Sequence, residues 1–142
     1  MRRYFTSSQT QGSHVQHTQP VIATVDDDPA ICRALSRLLH TVGWQAVAFS
    51  SAEAFLQRGV QAPPHCLVLD VRLPGMTGLE LLERLVADGV SFPIIIITGH
   101  ADAQVHIRAI QAGAVAYLRK PVDEQDFLQA IQHSLGPQVP EP

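Results

Sequence analysis

The sequence predicts a single α/β domain in which a parallel sheet is covered by helices on both faces. Short β-branched segments alternate five times with amphipathic segments between residues 21 and 135, a pattern typical of parallel sheets joined by crossover helices. The segment 94–97 is apolar at every position, which indicates a central strand buried on both faces. At 142 residues, the chain is long enough for one domain with a substantial core.

The first strand is predicted at Val21–Val25. Asp28 follows as a helix cap, with Pro29 at the first helical position, where its missing N–H costs nothing. Apolar residues then recur at a spacing of three to four and predict a helix that ends before Gly43, a residue suited to a left-handed C-terminal cap. The second strand is predicted at Gln45–Phe49.

A short second helix is predicted after Ser50, because Ser50 and Glu53 have the spacing of a capping box. This helix should bury Phe55 and Leu56. The third strand is predicted at 66–69 and ends on Asp70, and a turn over 72–78 leads into the third helix. The residues of that helix expected to face the core are Leu79, Leu82, Leu85 and Val86.

The fourth helix, predicted at Ala103–Ala112, is less clearly one-sided than the others. Val105 and Ala109 share one face, whereas Ile107 and Ile110 lie on another. A fifth strand is predicted at 115–118. The last helix follows Pro121 and carries four apolar residues on one stripe: Phe127, Leu128, Ile131 and Leu135.

The composition excludes several classes of protein. Residues 1–20 are polar and aperiodic and predict a disordered tail, in which His14 and His17 are expected to be solvated, and residues 136–142 predict a proline-rich tail or linker. From residue 21 onward the chain carries 8 basic and 13 acidic side chains, which argues against a nucleic-acid-binding surface. No segment approaches the roughly 20 apolar residues of a membrane span. The two cysteines, Cys32 and Cys66, fit reduced core thiols and a cytoplasmic protein.

Polar residues collect where the predicted strands end. Asp26 and Asp27 follow the first strand, Asp70 the third, Thr98 the fourth and Lys120 the fifth. In an open parallel sheet the ligand site lies at the carboxyl ends of the strands, so these groups should converge. Clustered carboxylates with room for water suit Mg²⁺, and a carboxylate beside that ion can attack phosphorus. The only lysine of the chain is placed to bind a phosphate oxygen.

With their flanks, these residues resemble the receiver domain of two-component response regulators over about residues 21–135, most closely the FixJ-like subgroup. The motifs that carry the resemblance are VDDDP, LDVRLPGMTGLELL, IIIITGHAD and AYLRKP, with SSAEAFL and AIQAGA supporting the subgroup. The resemblance implies a (βα)5 doubly wound fold of the flavodoxin/CheY-like kind, with strand order 2-1-3-4-5.

The resemblance also implies a role for each residue of the site. Asp70 would accept a phosphoryl group from a histidine kinase or histidine phosphotransfer protein and hold it as an acyl phosphate. Asp27 would bind Mg²⁺ directly, Asp26 would act mainly through water, and the backbone carbonyl of Arg72 would be a further ligand. The acidic pair, the acceptor aspartate, the hydroxyl and the lysine of the family are all present, so we expect a competent phosphoacceptor rather than a turnover enzyme.

A second group of residues would sense the phosphoryl group and set its lifetime. Thr98 and Lys120 would bind its oxygens, and Tyr117 would turn inward as Thr98 moves. The resemblance further implies a cis peptide bond between Lys120 and Pro121. Arg72 and His100, each two residues after a site residue, are placed to hinder hydrolysis and predict a fairly long-lived phosphoryl state.

The output of the switch is less constrained by the sequence. We expect a protein contact at helix four, strand five and helix five, for which Ile107 and Ile110 are candidates, and a phosphorylation-dependent dimer is one form of it. A single-domain receiver is slightly favoured over the N-terminal fragment of a FixJ-like DNA-binding regulator. A phosphate-independent interaction module is a further alternative. A Mg²⁺-dependent phosphatase would need a second carboxylate near Asp70, and Arg72 stands at that position.

Overall fold

The fold is a five-stranded parallel sheet with helices on both faces, seen in a computed structural model that describes residues 19–58, 62–99 and 102–136. The strands are β1 (Val21–Val25), β2 (Gln45–Phe49), β3 (Cys66–Asp70), β4 (Ile94–Thr98) and β5 (Ala116–Arg119). The helices that follow them are α1 (Pro29–Thr41), α2 (Ala52–Arg58), α3 (Gly78–Ala87), α4 (Ala103–Ala112) and α5 (Glu124–Leu135). The strand order β2-β1-β3-β4-β5 confirms the predicted topology.

Alternate residues of the strands enter two separate cores, because successive side chains of a strand point to opposite faces of the sheet. Leu67, Leu69 and Ile96 pack with the second, third and fourth helices. Val68 and Ile95, from the same strands, pack with the first and fifth helices. Both β3 and β4 are buried at every position, which confirms for β4 the prediction of a central strand covered on both faces.

The helix boundaries follow the predicted caps at α1. The side chain of Asp28 accepts a hydrogen bond from the N–H of Ala30, Pro29 occupies the first turn, and Gly43 has a φ of 83° just beyond the helix. α3, α4 and α5 are capped in the same way by Thr77, Asp102 and Asp123. The order of caps and turns in the sequence therefore determined where these helices begin.

The predicted capping box of α2 is wrong. The cap is Ser51, whose hydroxyl accepts from the N–H of Ala54 at 3.0 Å, because the helix begins one residue later than the pattern indicated. The carboxylate of Glu53 accepts from the N–H of Met76 at 2.9 Å, so it holds the loop that follows β3.

The predicted inward face of α3 needs one correction. Val86 is 45% exposed, whereas Leu81, which was not predicted, is fully buried. Val86 lies near the end of α3 beside Gly113, the residue that follows α4. The strand limits also shift by one residue at β3, β4 and β5. Both cysteines are free, and no helix among the described residues is long and apolar enough to cross a membrane.

Candidate functional site

Polar residues at or directly after the ends of four strands lie at one edge of the sheet. Asp26 directly follows β1, Asp70 and Thr98 are the final residues of β3 and β4, and Lys120 follows β5. The parallel registers place Asp70 opposite Ile97, and Thr98 opposite Arg119. The backbone N–H of Lys120 donates to the carbonyl of Thr98 at 2.8 Å. The structure thus brings the predicted site residues of four separate strands together.

Three carboxylates form the acidic side of this site. Asp26, Asp27 and Asp70 each offer an oxygen, and these oxygens lie within 4.8 Å of one another. Asp26 and Asp70 are buried, at 2% and 4% exposure, whereas Asp27 is exposed. Negative charges this close need a compensating cation. Oxygen ligands with an open side toward water fit a hard divalent ion such as Mg²⁺.

Lys120 supplies one compensating charge within the protein. Its Nζ donates to Asp26 Oδ2 at 2.7 Å and to Asp70 Oδ2 at 3.1 Å. Burial by itself lowers the pKa of this ammonium, but the hydrogen bonds and charges of the two carboxylates outweigh burial and raise the pKa above its usual value. Lys120 is therefore a permanent cation that bridges the first and third strands.

The buried Asp26 is held from three directions. Besides Lys120, the N–H of Asp28 donates to Asp26 Oδ1 at 2.9 Å. The Cys32 thiol donates to the Asp26 carbonyl at 3.3 Å. Burial and the charge of Asp26 raise the pKa of that thiol. Both oxygens of the Asp26 side chain are thus engaged by protein groups, which fixes its position.

Asp70 has one strong and one weak hydrogen-bond partner. Its Oδ2 accepts from Lys120, and its Oδ1 accepts from the N–H of Arg72 at 3.3 Å. Burial raises the pKa of the Asp70 carboxyl, although Lys120 acts in the opposite direction. The Oδ1 atom is the less tightly engaged of its two oxygens, which leaves this carboxylate able to take a new partner.

The close approach of α3 to Asp70 was not predicted. Gly78, the first residue of α3, donates its N–H to the carbonyl of Val71 at 2.9 Å. A Cβ added at Gly78 would overlap the carbonyl group of Asp70. Only glycine therefore allows the helix to begin this close to the acceptor strand. The sequence contained the signal, a glycine directly after the cap Thr77, but did not show what it would touch.

The remaining predicted residues lie around this centre. Thr98 is buried, at 1% exposure, and Tyr117 of β5 is half-buried with its ring stacked on that of His106. The peptide bond between Lys120 and Pro121 is cis. The side chain of Arg72 is exposed.

Other predicted positions have mixed outcomes. Ile107 and Ile110 of α4 are 54% and 44% exposed, so neither is part of the core. His100, His14 and His17, together with most of both predicted tails, lie outside the described residues.

The chemistry available here is limited and specific. One buried carboxylate with a loosely held oxygen faces a fixed cation, and two further carboxylates at hand can hold a divalent ion. Such a set suits attack of a carboxylate on an electrophile whose oxygens carry negative charge.

Comparison with known proteins agrees with this chemistry. Residues 22–132 match the family model of the response regulator receiver domain. The chain is 42% identical over 135 residues to the response regulator protein TmoT of Ectopseudomonas mendocina, covering 95% of this chain and 60% of that protein. It is 40% identical over 115 residues to the transcriptional regulatory protein FixJ of Azorhizobium caulinodans, covering 81% of this chain and 54% of that protein.

A solved structure is similar over its full length. The crystal structure of a response regulator receiver protein from Burkholderia phymatum matches with a TM-score of 0.75 at 40% identity, covering 87% of this chain and 100% of that one. The chain spans only a little over half the length of the curated relatives, 60% and 54% in the two cases above.

Proposed function

The chain belongs to the response regulator receiver domain family, and from this premise we propose that Asp70 is the residue that accepts the phosphoryl group. The function of the chain is that of a two-component phosphoacceptor. The single observation that supports Asp70 is that this buried carboxylate, at the end of the central strand β3, shares the Lys120 ammonium with Asp26.

In the proposed reaction, a carboxylate oxygen of Asp70 attacks the phosphorus atom of a phosphohistidine on the donor. A new O–P bond forms, the N–P bond breaks, and the imidazole leaves with its electron pair and takes a proton. Lys120 stabilises the negative charge of the transferred phosphoryl oxygens, because its ammonium already lies 3.1 Å from Asp70 Oδ2. Thr98 is buried beside the same edge of the sheet and is proposed to bind another phosphoryl oxygen.

The fit to Mg²⁺ follows from the donor set. Asp26, Asp27 and Asp70 would hold the ion, with Asp27 the exposed member and the backbone carbonyl of Arg72 a further proposed ligand. When bound, the ion would neutralise charge on the incoming phosphoryl group. We propose that Asp26 acts mainly through water, since both of its oxygens already accept hydrogen bonds from Asp28 and Lys120.

We propose one phosphoryl transfer per activation rather than enzymatic turnover. The residue two positions after Asp70 is Arg72, whose exposed side chain cannot serve as a general base. With His100, Arg72 is proposed to slow the access of water to the acyl phosphate. Replacing both by alanine should shorten the lifetime of the phosphoryl group, and an unchanged lifetime would contradict this role.

The proposed output is a change on the surface formed by α4, β5 and α5, with Tyr117 as the residue that turns inward. The exposed Ile107 and Ile110 support this surface as a contact site. Histidine kinases are partners of this class of domain; a histidine phosphotransfer protein and a phosphorylation-dependent homodimer are proposals. The curated relatives named above are longer than this chain, and the transcriptional regulation stated in the name of FixJ belongs to that protein.

The test is the intact mass of the protein after incubation with Mg²⁺ and acetyl phosphate. We expect one phosphoryl adduct that hydroxylamine removes, since hydroxylamine cleaves acyl phosphates. Asp70→Asn should carry no adduct, whereas Asp88→Asn, a change at an exposed aspartate outside the site, should behave like the wild type. Size-exclusion chromatography of the same samples tests dimerisation. No adduct on folded wild type would instead favour a phosphate-independent interaction module.

A further inference from the structure

We propose that His106 is a positioning residue that holds Tyr117 in a partly exposed orientation and thereby restrains the switch. The two rings are nearly parallel, at an interplanar angle of 5°, with their centroids 4.2 Å apart. His106 lies on the exposed side of α4, and Tyr117 lies on β5. The contact therefore joins two elements of the proposed output surface.

The backbone on both sides of this contact is well fixed. α4 is anchored through Val105 and Ala109, which pack into the same core as Tyr117. Tyr117 pairs in register with Ile96 of the central strand β4. With both backbones held, the stack depends on the side-chain torsions of the two rings. A rotation of Tyr117 about its Cα–Cβ bond would end the parallel contact.

The link to function rests on the proposed role of Tyr117 in the switch. His106 is exposed, whereas the site residue Thr98 is 1% exposed. A Tyr117 ring that turns inward, toward Thr98, leaves the exposed histidine and loses the stack. The stack thus favours the orientation seen here over the inward orientation, and aromatic pairs of this kind shift an equilibrium by about two- to tenfold.

The same coupling acts in reverse, because linkage between two sites is reciprocal. A ligand that favours the inward orientation must break the stack, so its affinity is lowered by the same factor. Beryllofluoride with Mg²⁺, a mimic of the phosphoryl group, serves as that ligand. His106→Ala should therefore bind beryllofluoride about two- to tenfold more tightly than the wild type.

The orientation of Tyr117 can be measured directly, because the chain has two tyrosines. In a Tyr4→Phe background Tyr117 is the only one, and 3-fluorotyrosine then gives a single ¹⁹F NMR signal. The ring current of His106 should displace this signal. His106→Ala should remove the displacement, His106→Phe should retain it, and Gln104→Ala, at an exposed position of the same helix, should leave the signal unchanged.

The two measurements together decide the proposal. We expect tighter beryllofluoride binding in His106→Ala, restored to the wild-type affinity in His106→Phe. An unchanged ¹⁹F signal in His106→Ala, or beryllofluoride affinity that is unchanged or weaker, would overturn it. If wild type and Asp70→Asn both fail to bind beryllofluoride, the proposed phosphoacceptor role of Asp70 has failed, and the ¹⁹F signal alone decides whether His106 positions Tyr117.

Discussion

Removal of the Lys120 ammonium should destabilise the fold strongly, and Mg²⁺ should reverse much of that loss. Lys120 Nζ lies 2.7 Å and 3.1 Å from oxygens of Asp26 and Asp70, whose side chains are only 2% and 6% exposed. Lys120→Met leaves both carboxylates buried without a cation. Breaking a buried ion pair in this way costs about 3–5 kcal/mol. Because the lysine side chain is itself 20% exposed, we expect the lower end, about 3 kcal/mol.

The dependence on pH has a definite sign. Burial already raises the pKa of the Asp70 carboxyl and Lys120 opposes that rise, so removal of the ammonium should raise this pKa further above its value in the unfolded chain. A raised carboxyl pKa removes stability as the pH increases, so the loss in Lys120→Met should be largest near neutral pH and should shrink as the pH falls toward about 4. Mg²⁺ should reduce the loss at neutral pH, since it binds the folded acidic cluster and not the unfolded chain.

The assay is urea unfolding at neutral and acidic pH, each in EDTA and in excess MgCl₂. Arg119→Met is the matched control, because it removes a cation from the neighbouring, exposed position and should change stability by less than about 0.5 kcal/mol. The reasoning is refuted if Lys120→Met in EDTA loses no more stability than Arg119→Met. A loss that neither Mg²⁺ nor acid reduces would refute the electrostatic origin.

Three further perturbations test other parts of the structure. Gly78→Ala should destabilise the fold by about 2–3 kcal/mol and reduce phosphoryl uptake, because the new Cβ displaces the Asp70 backbone; urea unfolding and intact mass measure the two effects. Glu53→Gln should lower stability at neutral pH but not in acid. The hydrogen bond to the N–H of Met76 lowers the pKa of Glu53, and its contribution is lost as the pH falls through that lowered pKa. Burial raises the pKa of the Cys66 thiol to about 11. The wild type should therefore lose about 1.4–2 kcal/mol relative to Cys66→Ala between neutral pH and pH 10, as thiolate forms mainly in the unfolded chain.

Each of these three predictions has a result that would contradict it. For Gly78→Ala the control is Gly99→Ala, since a Cβ at Gly99 would make only an ordinary contact at 3.9 Å with Lys120. Equal stability of the two variants would show that α3 does not lie tightly against the Asp70 backbone. A Glu53→Gln loss that persists in acid would point to packing rather than charge. Parallel pH profiles for wild type and Cys66→Ala would mean that the thiol ionises equally in both states.

Local patterns in the sequence were sufficient to predict the elements and their order. β4 was predicted from four consecutive isoleucines, and α1 from the Asp28 cap with Pro29 behind it. The convergence of Asp26, Asp70 and Lys120 followed from one rule, that parallel strands end at the same edge of a sheet. These predictions depend on the chemistry of single residues and their neighbours in the chain, which the sequence contains.

Contacts between elements distant in sequence were not predictable in this way. Glu53 fits a capping box by spacing, yet it bonds Met76 across 23 positions of the chain. Val86 has the period of an inward residue, but it lies beside Gly113 at the end of α4 and is 45% exposed. The stack of His106 on Tyr117 likewise depends on how α4 lies against β5.

The sequence by itself determined the fold class, the strand ends that form the site and the identity of its charged groups, because burial period, helix caps and the alternation of strands and helices along the chain are properties of local segments. Only the tertiary structure decided which charges touch: that Lys120 bridges Asp26 and Asp70, and that Gly78 lies against the Asp70 backbone. The physical reason is that such contacts depend on distances of a few ångströms between elements, and these are set by the packing of two complete cores.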